Sequence, residues 1–508
     1  MDQNKIESFV KNAWSWETNK ESAIIKALSA YITIPNSSPA FDPEWPKNDH
    51  TDKAVDLLVA TVKELKSQWG AQGCKVDDIS IEVLGSKEHP ERNETGQRRT
   101  PLIYINIPAF GPKAPDSSVL LYGHMDKQPE MLPWAEGLGP RIPVLKDDRL
   151  YGRGGADDGY AIFSAFTAVM ALRAQNASHA RCVIIVEACE ESDSKDLPHY
   201  IQKLQNQIGQ VSLIICLDSE SGNYDQLWIT TSLRGKINAW LEVKVLTEGV
   251  HSGTASGIVP SSYRIARQLL SRLENESTGE ITPSYLRVDI PAQIRQQAQK
   301  TADILGKQVT RVFPFADDKV QAVSIDASEL LLNRTWRSQL AVIGIQGLPT
   351  APESAGNVML PYTRMKLSMR LPPTLDSEKA AAAMVRELVD APPYGALVSV
   401  SDIDAINGWA APALAPWLEK ANNEASIRFF RIKPDDTSKE ALYFGEGGSI
   451  PFMDFLGKLF PQAQFMITGV LGPHSNAHGP NEFLDLPYAQ KVTMCVAYIL
   501  SKHHEAMR

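Results

Sequence analysis

Over the first 230 residues, short β-branched runs alternate with longer helical stretches. Ser118-Val-Leu-Leu-Tyr-Gly123, Cys182-Val-Ile-Ile-Val-Glu187 and Leu213-Ile-Ile-Cys-Leu217 are apolar without a break. Continuous rather than alternating apolarity predicts strands covered on both faces, as in an α/β sheet. Helices are predicted between them, over Ile24–Ile32, Asp52–Trp69 and Tyr160–Gln175. The texture changes after about residue 232: Asn238-Ala-Trp-Leu-Glu-Val-Lys-Val245 alternates with period two, like a half-exposed strand. Pro260–Leu273 then reads as a helix, and a second strand, Arg364–Leu371, precedes a helix over Ser377–Val389. From Trp417 the core-like rhythm returns, with a helix near Leu414–Glu424, a strand at Gln464–Thr468 and a C-terminal helix over Tyr488–His503. The expected architecture is an α/β domain with a mainly buried mixed sheet flanked by helices, formed by residues 1–231 and 406–508. It is interrupted by an inserted α+β domain at 232–405, in which 274–350 is polar and irregular in pattern.

Composition narrows the class. The 508 residues are 43% hydrophobic and 22% charged, ordinary for a globular chain, which argues against disorder, collagen or coiled coil. Lys plus Arg is 51 against 60 for Asp plus Glu, and the net charge of -9 disfavours nucleic acid or anionic lipid as a general partner. No apolar stretch approaches the roughly 18 residues of a membrane span, and the N-terminal segment lacks a signal-peptide pattern. Of the five cysteines, Cys182, Cys189 and Cys216 lie in or beside buried runs, in spacings that fit neither a zinc pair nor a redox pair. Reduced core thiols and a cytoplasmic setting are the expectation.

The chemistry gathers at strand ends. The first strand runs into Gly123-His124-Met125-Asp126, which can set an imidazole in a cleft with a carboxylate behind it, although a core histidine would look the same. Tyr151-Gly-Arg-Gly-Gly-Ala-Asp-Asp-Gly159 is a glycine-rich turn carrying adjacent acids into a helix. Helix capping competes as an explanation, most of all for Asp158, whereas a phosphate loop would need a Lys-Ser/Thr pair that this turn lacks. Glu187-Ala-Cys-Glu-Glu-Ser-Asp-Ser194 ends another strand with adjacent acids that repel unless solvent, a cation or catalysis uses them. Asp218 ends a third, and Gly472-Pro-His-Ser-Asn-Ala-His-Gly-Pro-Asn-Glu482 follows a fourth. Open α/β sheets bind ligands at the carboxyl ends of their strands, so the coincidence outweighs any member of it. Histidines mixed with carboxylates suit Zn²⁺ or Mn²⁺ better than Ca²⁺ or Mg²⁺, and a shared Asp would make the site binuclear.

In order and spacing, HMD, GRGGADDG, EESDS, LDSES and NAHGPNE resemble the dinuclear zinc aminopeptidase-like family of carnosinases, cytosolic non-specific dipeptidases, carboxypeptidase G-type enzymes, aminoacylases and succinyl-diaminopimelate desuccinylases. The match spans about residues 120 to 485. TTSLRGKINAWLEV, GVHSGTASG, LSMRLPP and GEGGSIP also resemble the carnosinase-type branch. The resemblance implies two divalent ions, Zn²⁺ or Mn²⁺, bridged by Asp157, with His124 and Asp218 on one and Glu191 and His478 on the other. It gives Asp126 the task of orienting His124, and Glu190 that of general base on a metal-bound water. The insert becomes a lid and dimerisation domain, and the chain a homodimer in which His251 stabilises the oxyanion in the partner subunit's site. Arg370, Asn357, Gly448 and Ser449 are implied as contacts to substrate, chiefly its carboxylate. The substrates implied are dipeptides or short peptides, or alternatively N-acyl amino acids; Glu446 favours a substrate with a free amine. A catalytically silent binding protein on the same fold is the rival from another class, opposed by the intact Glu190 and ligand set. The family's usual Asp-Asp-Lys-Gly reads Asp157-Asp158-Gly159-Tyr160 here, so a cation near the bridging carboxylate is missing.

Overall fold

The computed structural model describes residues 1–17, 21–349, 351–433, 435–448 and 450–508. The strands that matter for the site are β1 (Ser80–Leu84), β2 (Leu102–Ile107), β3 (Ser118–His124), β4 (Arg181–Glu187), β5 (Val211–Cys216), β6 (Gly235–Lys244), β7 (Gln339–Gln346), β8 (Tyr362–Leu371), β9 (Leu397–Ile406) and β10 (Gln464–Ile467). The chain divides into two compact units, one of residues 1–230, 411–443 and 455–508, the other of 231–410 and 444–454.

The first unit is built on a mixed sheet in the order β1-β2-β4-β3-β5-β10. β3 runs parallel to both β4 and β5, and β5 runs parallel to β10. The apolar runs explain why: every residue of β3 is buried, and β4 and β5 are buried except at a position near the start of each. Between β3 and β4 lies the helix Ala161–Arg173, apolar all round and buried at every residue. Such a helix belongs inside a protein. It packs on the C-terminal helix Leu486–Ala506, where Ser164 and Thr493 share a hydrogen bond of 2.8 Å. The chain leaves β3 for one neighbour, β4, and then crosses to the other, β5. The loops beyond β3 therefore diverge and open a crevice at its carboxyl end.

The second unit holds an antiparallel sheet in the order β7-β8-β6-β9. β6 and β8 alternate buried and half-buried residues along their length, as the period-two pattern requires, and the helices Ser262–Leu270 and Ser377–Val389 cover the apolar face. The stretch that looked irregular holds the helices Ala292–Leu305 and Ala327–Thr335, joined by a small cluster of Ala298, Ala302, Leu331 and Leu332. Each buries only three residues, Ala298, Thr301 and Ala302 in the first and Leu331, Leu332 and Thr335 in the second, which leaves little contrast to read. Among the described residues, no helix is long and apolar enough to cross a membrane. The five cysteines are free and buried.

A polar knot closes the amino end of the first sheet. Arg173 pairs with Asp78 at 2.5 Å and donates through Nε to His179 Nε2 at 3.1 Å, while His179 Nδ1 donates to the Ala180 carbonyl at 2.7 Å. Both imidazole nitrogens are committed, and burial brings the His179 pKa down to about 4. The native state thus binds fewer protons than the unfolded chain between the ordinary 6.5 and about 4, so stability is lost as pH falls through that window. Lowering the pH from 7 to 5 should cost about 2 kcal/mol at this residue. The urea midpoint of the wild type should fall further over this range than that of His179→Gln, which keeps an acceptor for Arg173; equal shifts would refute the assignment.

Candidate metal centre

Each strand of the crevice delivers one piece of the site. β3 ends on His124, with Asp126 just beyond; β4 leads into the single turn Glu190–Ser192; β5 leads to Asp218; and the loop after β10 carries His478. The glycine turn before the helix Ala161–Arg173 carries Asp157 and Asp158. Gly123 is needed where it stands, because a Cβ there would meet Asp158 Oδ2 at 2.8 Å and the Ala161 methyl at 2.5 Å.

Asp157 lies at the centre, and its two oxygens face different partners. Oδ1 is 3.1 Å from His124 Nε2, and that nitrogen is 3.8 Å from Asp218 Oδ1. Oδ2 is 3.1 Å from His478 Nε2, which is 3.4 Å from Glu191 Oε1. The donors of His124, Asp157 and Asp218 lie within 4.8 Å of one another, as do those of Asp157, Glu191 and His478. A third grouping of the same span joins His124 to Glu190 and Glu191. Burial opposes the ionisation of Asp157, but the hydrogen-bonding imidazoles of His124 and His478 outweigh it and hold the carboxyl below its usual range. Glu190 goes the other way: burial first, and then the charge of Asp218, push its carboxyl well above the usual range.

Other side chains hold these in place. Asp126 Oδ1 accepts from the Glu190 amide at 3.1 Å and Oδ2 from the Glu191 amide at 3.0 Å. His124 Nδ1 donates to the Asp126 backbone carbonyl at 3.1 Å, with the Asp126 carboxylate 3.5 Å away. Asp158 does not cap the following helix; its Oδ2 reaches back to the His124 amide at 3.1 Å. Gln128 donates to Glu191 Oε2. The functional residue that sequence reasoning passed over is Glu482, fully buried at the end of the last motif. Its Oε1 accepts from the amides of Gly154 at 2.9 Å and of Ala156 and Asp157 at 3.3 Å, and its Oε2 pairs with Arg153 at 2.6 Å. The signal was there: a glutamate closing a loop of turn formers in a chain whose glycine turn carries an arginine.

The donor set fits divalent metal. Imidazole nitrogen and carboxylate oxygen together suit Zn²⁺ or Mn²⁺. Asp157 Oδ2 and Glu191 Oε1 are buried without a hydrogen bond of proper geometry, a costly state for carboxylate oxygens that coordination would relieve.

The remaining expected residues lie in the second unit. His251 is exposed on a ribbon in which it pairs with Val358, and the Ser252 amide donates to the Asn357 carbonyl at 2.9 Å, so Asn357, also exposed, is its neighbour. The Gly253 amide donates to His251 Nδ1 at 3.1 Å. Arg370 is half-buried near the end of β8, and burial draws its pKa down; among the described residues no acid pairs with it. Gly448 is exposed, its carbonyl accepting from the Arg234 amide at 3.0 Å. Ser449 lies outside the described residues.

Residues 120–502 match the profile of peptidase family M20/M25/M40. The chain belongs to this family. It is a metallopeptidase, and its relatives are dipeptidases. A cysteinylglycine-S-conjugate dipeptidase of Corynebacterium striatum is 25% identical over 388 residues, covering 75% of this chain and 80% of the relative. A Cys-Gly metallodipeptidase of Saccharomyces cerevisiae is 26% identical over 447 residues, 84% of this chain and 85% of the relative. In fold, the chain is similar to human carnosine dipeptidase 1, with a TM-score of 0.71, 19% identity and 99% of each chain covered. A dipeptidase from Saccharomyces cerevisiae gives a TM-score of 0.72, also at 19% identity and 99% coverage of each chain.

Glu482→Ala would strand Arg153 as a buried charge and orphan the amides that shape the turn, costing about 3–5 kcal/mol. Glu482→Gln, which still accepts, should cost less. We expect the alanine variant to melt at a lower temperature and to lose bound metal by elemental analysis; wild-type metal content would refute the bracing role.

Proposed function

We propose that this chain is a dinuclear dipeptidase whose two divalent ions share Asp157. The observation that carries the reading is the division of that carboxylate, one oxygen toward His124 and Asp218 and the other toward His478 and Glu191. His124, Asp157 and Asp218 would hold one ion, and Asp157, Glu191 and His478 the other. When bound, the ions supply Lewis acidity, which lowers the pKa of water and polarises a carbonyl.

The chain's own residues do the rest. Glu190 belongs to the first unit's cluster but to neither of these ligand sets, which leaves its carboxylate to act as the base. It takes the proton of the attacking water at its carboxylate and passes it to the leaving amine. Asp126 holds Glu190 and Glu191 through their amides, so base and ligand are set by one side chain. His251 accepts at Nδ1 from Gly253, which leaves its proton on Nε2 as a donor. In a homodimer, this N–H is supplied to the partner subunit's site to stabilise the oxyanion. Arg370, a guanidinium with no acid paired to it among the described residues, is suited to the free carboxylate of a dipeptide, with Gly448 and Asn357 as further polar contacts. The relatives named for Cys-Gly and cysteinylglycine-S-conjugate dipeptidase point to unblocked dipeptides as the substrate class.

The test is hydrolysis of a mixed panel of dipeptides and N-acetyl amino acids by protein reconstituted with Zn²⁺ or Mn²⁺, followed by mass spectrometry. Dipeptides should be cleaved, chelation should abolish cleavage, and Glu190→Gln should lower kcat at least about a hundredfold with metal content intact. Selective deacylation would replace this reading with an N-acyl amino acid hydrolase. Separately, Asp157→Asn should lose both ions in elemental analysis, whereas Asp218→Asn should retain one.

A further inference from the structure

Lys127 is a buried amine that the mechanism above does not use. It is 3% exposed and follows directly on Asp126. Its Nζ donates to the carbonyls of Tyr31 at 2.7 Å and Ile34 at 2.8 Å, at the carboxyl end of the helix Ala23–Ile32, where a cation is favoured by the helix dipole. The same Nζ lies 3.9 Å from the centroid of the Tyr31 ring. Its backbone is committed too: Lys127 N donates to Asn36 O at 3.2 Å, and Ser38 N donates to Lys127 O at 2.9 Å. One residue thus ties the end of β3 to the segment Tyr31–Ser38.

The aliphatic stem reaches the glycine turn. A Cβ on Gly154 would meet Lys127 Cε at 2.5 Å and Cγ at 2.8 Å, so the stem lies flat on that glycine. Gly159 is bounded by the same groups: a Cβ there would meet Tyr31 Cε1 at 2.5 Å and the Gly154 carbonyl at 2.8 Å. Gly159 is also where the family's usual motif would place its lysine. In this packing the Tyr31 ring fills that space, and the amine sits against the same ring but comes from position 127. Glu482 holds the turn from its amide side, and Lys127 with Tyr31 closes the other.

We propose that Lys127 is a positioning residue for Asp157, supplying from the loop just beyond β3 the basic group that braces the turn in place of the one absent at Gly159. The proposal rests on the reading of Asp157 as a metal ligand. It predicts the sign of an effect. If Lys127 acted only as a charge, removing it from beside an acidic cluster would tighten metal binding; if it positions Asp157, removing the amine loosens binding.

The experiment is competition titration of Zn²⁺ and Mn²⁺ against a chromogenic chelator, using metal-stripped full-length wild type, Lys127→Met and Lys127→Arg. Thermal unfolding of the metal-free proteins and steady-state kinetics on a cleaved dipeptide accompany it. Lys127→Met should keep a cooperative melt, lose metal affinity roughly 10- to 100-fold, and lower kcat with little change in KM, since the residue does not touch substrate. Lys127→Arg should recover part of the affinity. Wild-type or tighter metal binding by Lys127→Met overturns the proposal, as does an arginine variant no better than the methionine one. Loss of the melt in metal-free Lys127→Met overturns it as well, by assigning the amine to the fold as a whole. A wild-type protein that binds neither metal overturns the metal-site reading itself, an outcome the titration separates from all the others.

Discussion

Five carboxylates, those of Asp126, Asp157, Glu190, Glu191 and Asp218, are gathered round two imidazoles at the ends of buried strands, and the rest of the catalytic unit is arranged to make that tolerable. Like charges at such spacing and burial repel, and burial with the neighbouring acids raises the carboxyl pKa of Glu190 and Glu191. The fold answers with donors that need no extra space. Asp126 spends both oxygens on backbone amides, Asp158 one on the His124 amide, and Glu482 is met by three amides and an arginine. One oxygen each of Asp157, Asp158 and Glu191 is buried without a hydrogen bond, and those of Asp157 and Glu191 belong to the same ligand grouping.

That economy depends on the sheet. A parallel strand buried on both faces cannot shift its register without moving a whole row of packed side chains, so β3, β4 and β5 fix the heights at which His124, the Glu190 turn and Asp218 emerge. The turn bearing Asp157 has no such ladder. It relies on glycines, on Glu482 and on Lys127, which is why residues far from any substrate bear on the chemistry.

How much of this could be read in advance follows the same division. The ligand candidates His124, Asp157, Glu191, Asp218 and His478 were legible because each ends or follows a strongly apolar run or stands in a dense motif. The strands themselves were legible for the same reason, as was the period-two pattern of β6 and β8. The helices Ala292–Leu305 and Ala327–Thr335 were not, because each buries only three residues. Asp158 invited a capping explanation from its place before a helix, and only the packed structure turns it back toward β3. Glu482 could be noticed but not given a task, since hydrogen bonds to three amides more than three hundred positions away leave no trace in local pattern.

That separation along the chain has a consequence for synthesis. Glu482 and His478 are translated long after the turn they complete. As the polypeptide leaves the ribosome, the strands that lead to His124, Glu191 and Asp218 can pair early, but the turn has neither its clamp nor its second imidazole until the last of the sheet's strands and the loop beyond it arrive. Until then the nascent protein carries a half-built, strongly acidic pocket that lacks part of the proposed ligand set. On the proposed ligand set, metal capture is thereby deferred to the end of folding, and a truncated chain should emerge inert rather than partly active.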